Sequence, residues 1–162
     1  MQPTMTSFPT TLNNREIVYS NISTDFSEIS HFPSKNWLLV AIADKEQVSL
    51  LPRFAELCVE RNVLYVCGAG GAASEIDDEF DIVSVNRAIE AGKNFDDQTF
   101  EDTPLTTWHA SFEEALWFGI TAASHETLPI AKVIVANLTD RDYKELVGEI
   151  IMQIHSGWLP PD

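Results

Sequence analysis

The side chains best suited to chemistry in this 162-residue chain are Cys67, His109 and the carboxylates that could accompany them. A thiol beside an imidazole, with an acid orienting the imidazole, is the general pattern of an activated nucleophile. Asp44 is the acid that the patterning offers. Each of the three stands at the end of an apolar run, as does the stretch Asn137 through Asp140. In an open parallel sheet such ends lie together, and ligands collect beyond them. Cys67, His109 and Asp44 are therefore the catalytic candidates. Against them, no cysteine-enzyme signature surrounds Cys67, and a cysteine closing a buried strand serves more often as a small core residue. His109, Asp44 and Asp140 would make a metal set, but three scattered ligands lack a diagnostic spacing. No metal is expected.

A second candidate is the turn that follows the run Val63-Leu64-Tyr65-Val66-Cys67. Gly68-Ala69-Gly70-Gly71-Ala72-Ala73 has the order G-x-G-x-x-[GA] and resembles the Rossmann dinucleotide-binding fingerprint. The resemblance implies pyrophosphate held on the N–H groups of a following helix. The residues that come next oppose it: Glu75, Asp77, Asp78, Glu79 and Asp81. A like charge about 6–8 Å from a phosphate costs roughly 0.5–2 kcal/mol, whereas a helix end returns only about 0.3–1 kcal/mol. No clear apolar run leads into Asp96, where the fingerprint wants a strand ending in an acid. The expectation is a plain turn whose glycines accept positive φ, with no cofactor. Asp77, Asp78, Glu79 and Asp81 also lack the ligand spacing of a calcium loop.

Charge narrows the function classes further. The chain carries a net charge of −15. Residues 75–102 hold ten acids against Arg87 and Lys93, which accounts for −8 of it. Nucleic acids and anionic membranes are bound through Lys and Arg, so both are disfavoured as partners. A basic protein is favoured, with Asp77, Asp78, Glu79, Asp96 and Asp97 as the partner-binding residues. Cys58 and Cys67 form no disulfide framework or metal motif. The N-terminus has no basic segment followed by an apolar one, and no run reaches the roughly 18–20 residues of a membrane span. A cytoplasmic protein is expected.

The elements that must position these residues follow from periodicity. Trp37–Ala43 is an unbroken apolar run, as suits a strand covered on both faces. Pro52 permits a helix only from about Ser49, running to Arg61, and Val63–Cys67 is the next strand. Residues 72–91 read mostly as helix, 92–106 as a long loop, and Leu105–His109 as a short strand. Ser111 and Glu114 form a capping box that opens a helix to about Ser124. Val133-Ile134-Val135 is the last core strand. Thr139 and Asp142 mark the start of a helix over 140–156, whose wide apolar stripe packs on the sheet or on a second copy in a homodimer. Residues 1–34 read as an arm with an edge strand at Ile17-Val18-Tyr19, and 35–162 as one α/β domain. The fold class is a single three-layer α/β sandwich, Rossmann-like or flavodoxin-like, with four or five mainly parallel strands. The leading function is a non-catalytic protein-binding or inhibitory (immunity-like) module that acts through its acidic 75–102 surface. The alternative is a small-ligand protein or a hydrolase-type enzyme using Asp44, Cys67 and His109.

Overall fold

The computed structural model describes residues 5–92 and 103–161. Its strands are β1 (Met5–Ser7), β2 (Glu16–Asn21), β3 (Trp37–Ile42), β4 (Tyr65–Ala69), β5 (Leu105–Trp108) and β6 (Lys132–Asn137). The helices are α1 (Leu51–Glu60), α2 (Ala73–Glu90), α3 (Phe112–Trp117) and α4 (Lys144–His155). The strands form one sheet in the order β1-β2-β6-β3-β4-β5, parallel throughout except for β1. The α/β sandwich is thus present with six strands, one more than the upper expectation. The sixth comes from the N-terminal segment, which supplies two strands to the sheet. Ile17-Val18-Tyr19 lies inside the sheet, flanked by β1 and β6, and all three residues are buried.

Strand alternation divides the core into two layers. Leu39, Ala41, Val66, Ile134 and Ala136 face α1 and α2, where Phe54, Cys58, Ile76 and Phe80 cover them. Leu38, Val40, Cys67, Val133 and Val135 face α3 and α4, where Leu116, Ile120, Val147 and Ile150 do the same. β3 is covered on both sides and fully buried along its length, which is why its sequence shows no alternation. α1 begins with Pro52 in its first turn, where a missing N–H leaves no bond broken. A 3₁₀ turn, Lys45–Leu50, leads into it.

The two helix pairs create the sheet's switch point. After β3 the chain turns toward α1 on one face, and after β6 it turns toward α4 on the other. β3 and β6 are hydrogen-bonded neighbours, so their carboxyl ends flank the crevice where α/β sheets usually take ligands. β4 ends two residues later than its apolar run suggests. Its ladder with β3 runs on through Gly68 and Ala69, so Cys67 sits within the strand and not at its end. Gly68 is there for close approach: a Cβ on it would lie 2.9 Å from the Ala73 carbonyl oxygen of α2. Gly70 alone in the corner makes the turn, with φ +91° and its α-carbon hydrogens pressed toward the Ala43 carbonyl.

Candidate functional site

Two polar groupings lie at the carboxyl ends of the strands, and they divide the residues singled out in the sequence. The first is the switch-point crevice. Asp44 leaves β3 with its backbone N–H bonded to the Gln47 side chain at 2.8 Å. Its Oδ1 accepts the Gly71 N–H at 3.1 Å, and its Oδ2 lies 3.5 Å from Arg141 Nη2, across the crevice. The neighbouring amides are also engaged: Ala72 N–H bonds the Ala43 carbonyl and Ala73 N–H bonds that of Gly70. The glycine corner therefore holds a carboxylate of its own chain where a phosphate would need to sit. Lys45, at the same rim, is paired with Glu75, whose carboxyl is held below its usual range chiefly by that hydrogen bond.

Asn137 closes the crevice floor. It is buried, and its amide N–H groups donate to Tyr19 Oη, Asn21 Oδ1 and the Arg141 carbonyl. Its Oδ1 accepts from Thr139 N–H at 3.0 Å and Thr139 Oγ1 at 2.7 Å. Tyr19 Oη in turn accepts from Tyr143 N–H at 2.8 Å, and burial pushes this phenol up to about 12. The network fastens the 138–142 loop and so sets where Arg141 reaches. Asp142 caps the loop, accepting from Lys144 N–H, and α4 begins at Lys144, later than the Thr139 signal suggests. Asp140 is exposed and is not brought to Asp44 or His109 by any hydrogen bond or ion pair among the described residues.

The second grouping joins β5 to α3. His109 follows β5 and is buried, with its ring 5.0 Å from that of Phe118. Its Nδ1 lies 3.0 Å from Glu114 Oε1, and its Nε2 lies 2.9 Å from Thr107 Oγ1. An ionised carboxylate only accepts, so Nδ1 carries the ring proton and Nε2 presents a lone pair to the Thr107 hydroxyl. Ser111 caps α3 as its sequence suggests, accepting from Glu114 N–H at 3.1 Å. The glutamate side chain, however, does not complete the box. It turns to His109 instead. The α3 end is tied down by Arg15, a buried guanidinium that donates to the Gly119 and Ala123 carbonyls at 2.7 and 2.5 Å. Burial lowers its pKa. The first carbonyl belongs to the π-helical turn Phe118–Ala122 that ends the helix, and the second to the residue that follows it.

Cys67, Asp44 and His109 are thus not one constellation. Cys67 is fully buried between Val40 and Thr107 in the ladder, and burial pushes its thiol up to about 12, opposed in part by Thr107 and Arg15. It is a core residue with almost no thiolate near neutrality. The His109 ring meets Thr107 on one side, and the carboxylate on its other side is Glu114. Both were missed in the sequence because the Ser111–Glu114 spacing had a sufficient local explanation. Their signal was a hydroxyl two residues before the histidine and an acid five after it. No group of three or more His, Cys, Asp or Glu side chains among the described residues is arranged to hold a metal ion.

The acidic surface is seen in part. Asp78 and Asp81 are exposed on α2, while Asp77 and Glu79 are half-buried along its flanks. Among the described residues none of these four makes an ion pair. Asp81 bonds Thr106 Oγ1 at 3.2 Å, and its carboxyl is raised by burial and then by Asp77 and Asp78. Asp96 and Asp97 lie outside the described residues.

A family model described as Domain of unknown function (DUF7684) matches residues 17–154. The chain belongs to this family. The DUF7684 match takes in β2 through nearly all of α4, and with them both polar groupings and α2, but leaves out β1. No curated protein and no solved structure matches the chain.

Proposed function

We propose that this DUF7684 protein is a cytoplasmic docking module that inhibits or neutralises a basic protein partner through the outward face of α2. The observation that carries the reading is a run of carboxylates, Asp77 to Asp81, without cations of their own among the described residues. Asp81 feels the repulsion of Asp77 and Asp78, and a cationic partner would relieve it. The same helix exposes Ile82 and Ile89, at 50% and 60%, on the side away from the core. Exposed apolar side chains on a helix rich in carboxylates suit a protein partner, since they add buried area to electrostatic attraction. The Asp44 carboxylate on the Gly71 N–H supports the same reading, because it occupies a donor that a nucleotide phosphate would use.

Charge reversal tests it. A variant carrying Asp77→Lys, Asp78→Lys and Glu79→Lys should bind the partner captured by the wild-type chain on the order of tenfold or more weakly, with a flatter salt dependence. Glu56→Lys with Glu149→Lys, on α1 and α4, should have little effect. Equal binding by all three proteins removes α2 as the docking face.

One observation favours a second reading, catalysis at the strand ends. Both ring nitrogens of the buried His109 are held, one by a carboxylate and one by a hydroxyl. No helix among the described residues is long and apolar enough to cross a membrane.

A further inference from the structure

We infer that Thr107 is an acyl-accepting nucleophile, with His109 as its general base and Glu114 as the residue that positions the base. The inference rests on the catalytic reading and gives it a nucleophile, a base and a substrate class. Three features of the geometry carry it. The Thr107 hydroxyl and the His109 Nε2 are 2.9 Å apart, within the range in which a base takes a proton from its nucleophile. The Glu114 contact at 3.0 Å fixes the tautomer that leaves Nε2 unprotonated and would stabilise the imidazolium formed by that transfer. Thr107 itself is half-buried on the terminal strand of the sheet, whereas the competing nucleophile Cys67 is sealed in the core.

The surroundings define the substrate. Thr107 lies on the sheet face of Cys67 and Tyr65, and the Phe118 ring stands 5.8 Å from Tyr65 and 5.0 Å from His109. Thr106, on the opposite face, is bonded to Asp81 of the acidic helix. Aromatic walls on the Thr107 face suit an uncharged ester whose acyl group is apolar.

The chemistry balances with water as the only co-reactant. Thr107 Oγ attacks the carbonyl carbon and forms a new C–O bond while its proton passes to His109 Nε2. Collapse of the tetrahedral adduct breaks the bond to the leaving alcohol, which takes that proton from Nε2. Water then attacks the acyl-Thr107 ester, gives its proton to Nε2, and releases the carboxylic acid as Oγ recovers the proton. Glu114 stays ionised throughout and touches only the imidazole.

The full chain is to be incubated with p-nitrophenyl acetate, following nitrophenol release and mapping the acetylated residue by peptide mass spectrometry. Wild type should show an initial burst and an acetyl ester on Thr107. Thr107→Val should lose on the order of 100-fold or more in rate, Thr107→Ser should keep the burst with the adduct on the new serine, and His109→Gln should fall as far as the valine variant. Glu114→Gln should lower kcat about tenfold at unchanged KM, with Glu114→Asp restoring part of it. Circular dichroism confirms that each variant is folded. A valine variant as fast as wild type, with His109→Gln slow, overturns Thr107 as nucleophile but leaves catalysis at His109 standing. Acetylation confined to lysines or the N-terminus, at rates indifferent to all five substitutions, overturns both.

Discussion

The glycine corner and the β5–α3 junction stand at the same end of the same sheet, yet they use their polar groups in opposite ways. At the corner, the Gly71, Ala72 and Ala73 amides and the two nearest cations are each answered by a neighbour. Asp44 fills the Gly71 amide and reaches Arg141, while Lys45 is paired with Glu75. At the junction, the hydrogen bonds also satisfy each member but set an imidazole nitrogen against a hydroxyl, which is the contact the catalytic proposal uses. A motif that resembles a binding site can be closed by one carboxylate. A site with no motif can be built from residues 107, 109 and 114 by a strand end and a helix cap. The difference lies in which partner each polar atom has, and sequence spacing alone does not report that.

The comparison implies that the corner is structural and strongly constrained. Gly70→Ala forces a left-handed φ on a residue with a Cβ and drives that atom to 2.3 Å from the Ala43 oxygen. The loss should be about 3 kcal/mol or more in urea denaturation, with β3, β4 and α2 all disturbed. A cost no larger than that of Thr107→Val, expected near about 1 kcal/mol for one exchanged hydrogen bond, would show that the corner is less rigid than its geometry.

Emptying the corner sharpens the contrast. Asp44→Ala removes the acceptor of the Gly71 N–H and releases Arg141, at a cost of about 1 kcal/mol. It should also convert a corner closed to anions into one that accepts them. Sulfate at millimolar concentration should then raise the Tm of the variant more than that of wild type, because an ion bound only by the folded state stabilises it. Equal sulfate responses would mean that α2 acids, not Asp44, keep anions out.

The smallest effect separates the two flanks of α2. Burial, then Asp77 and Asp78, raise the Asp81 carboxyl above its unfolded value, so its ionisation opposes folding. A raised acid contributes stability below the unfolded pKa of about 3.9, and that contribution is lost as pH rises through the folded pKa. Asp81→Asn keeps the acceptor for Thr106 and should raise Tm modestly near neutral pH, with no gain well below the unfolded value. Asp142 has the opposite sign, since the Lys144 N–H is the main cause of its lowered pKa. Its contribution is present above about 3.9 and is lost as pH falls through its folded pKa, so Asp142→Asn should cost stability near neutrality and nothing in strong acid. Thermal melts across pH for the two variants should therefore diverge in opposite directions.

Much of the scaffold can be read from periodicity and punctuation. Trp37–Ile42, Leu51–Glu60, Phe112 after its serine cap, and the stripe Val147, Ile150, Ile151 follow from apolar spacing together with Pro52 and Ser111. These signals are local, and the physics behind them acts within a few residues. β2 was harder to place because a three-residue apolar stretch looks the same at an edge or inside a sheet. The candidate site was legible only at single residues. His109 and Asp44 are where a strand end should put them, yet their partners come from Glu114, Gly71 and Arg141.

By itself the sequence determines an α/β chain of alternating strands and helices, and a glycine turn that opens into a run of carboxylates. The tertiary structure decides the insertion of β6 between β2 and β3, which carries Arg141 to Asp44 across the switch point. It also decides the turning of Glu114 away from its own helix cap toward His109. The physical reason is range. Periodicity records which face each residue must bury, whereas strand order and side-chain pairing depend on which distant surfaces complete that burial together.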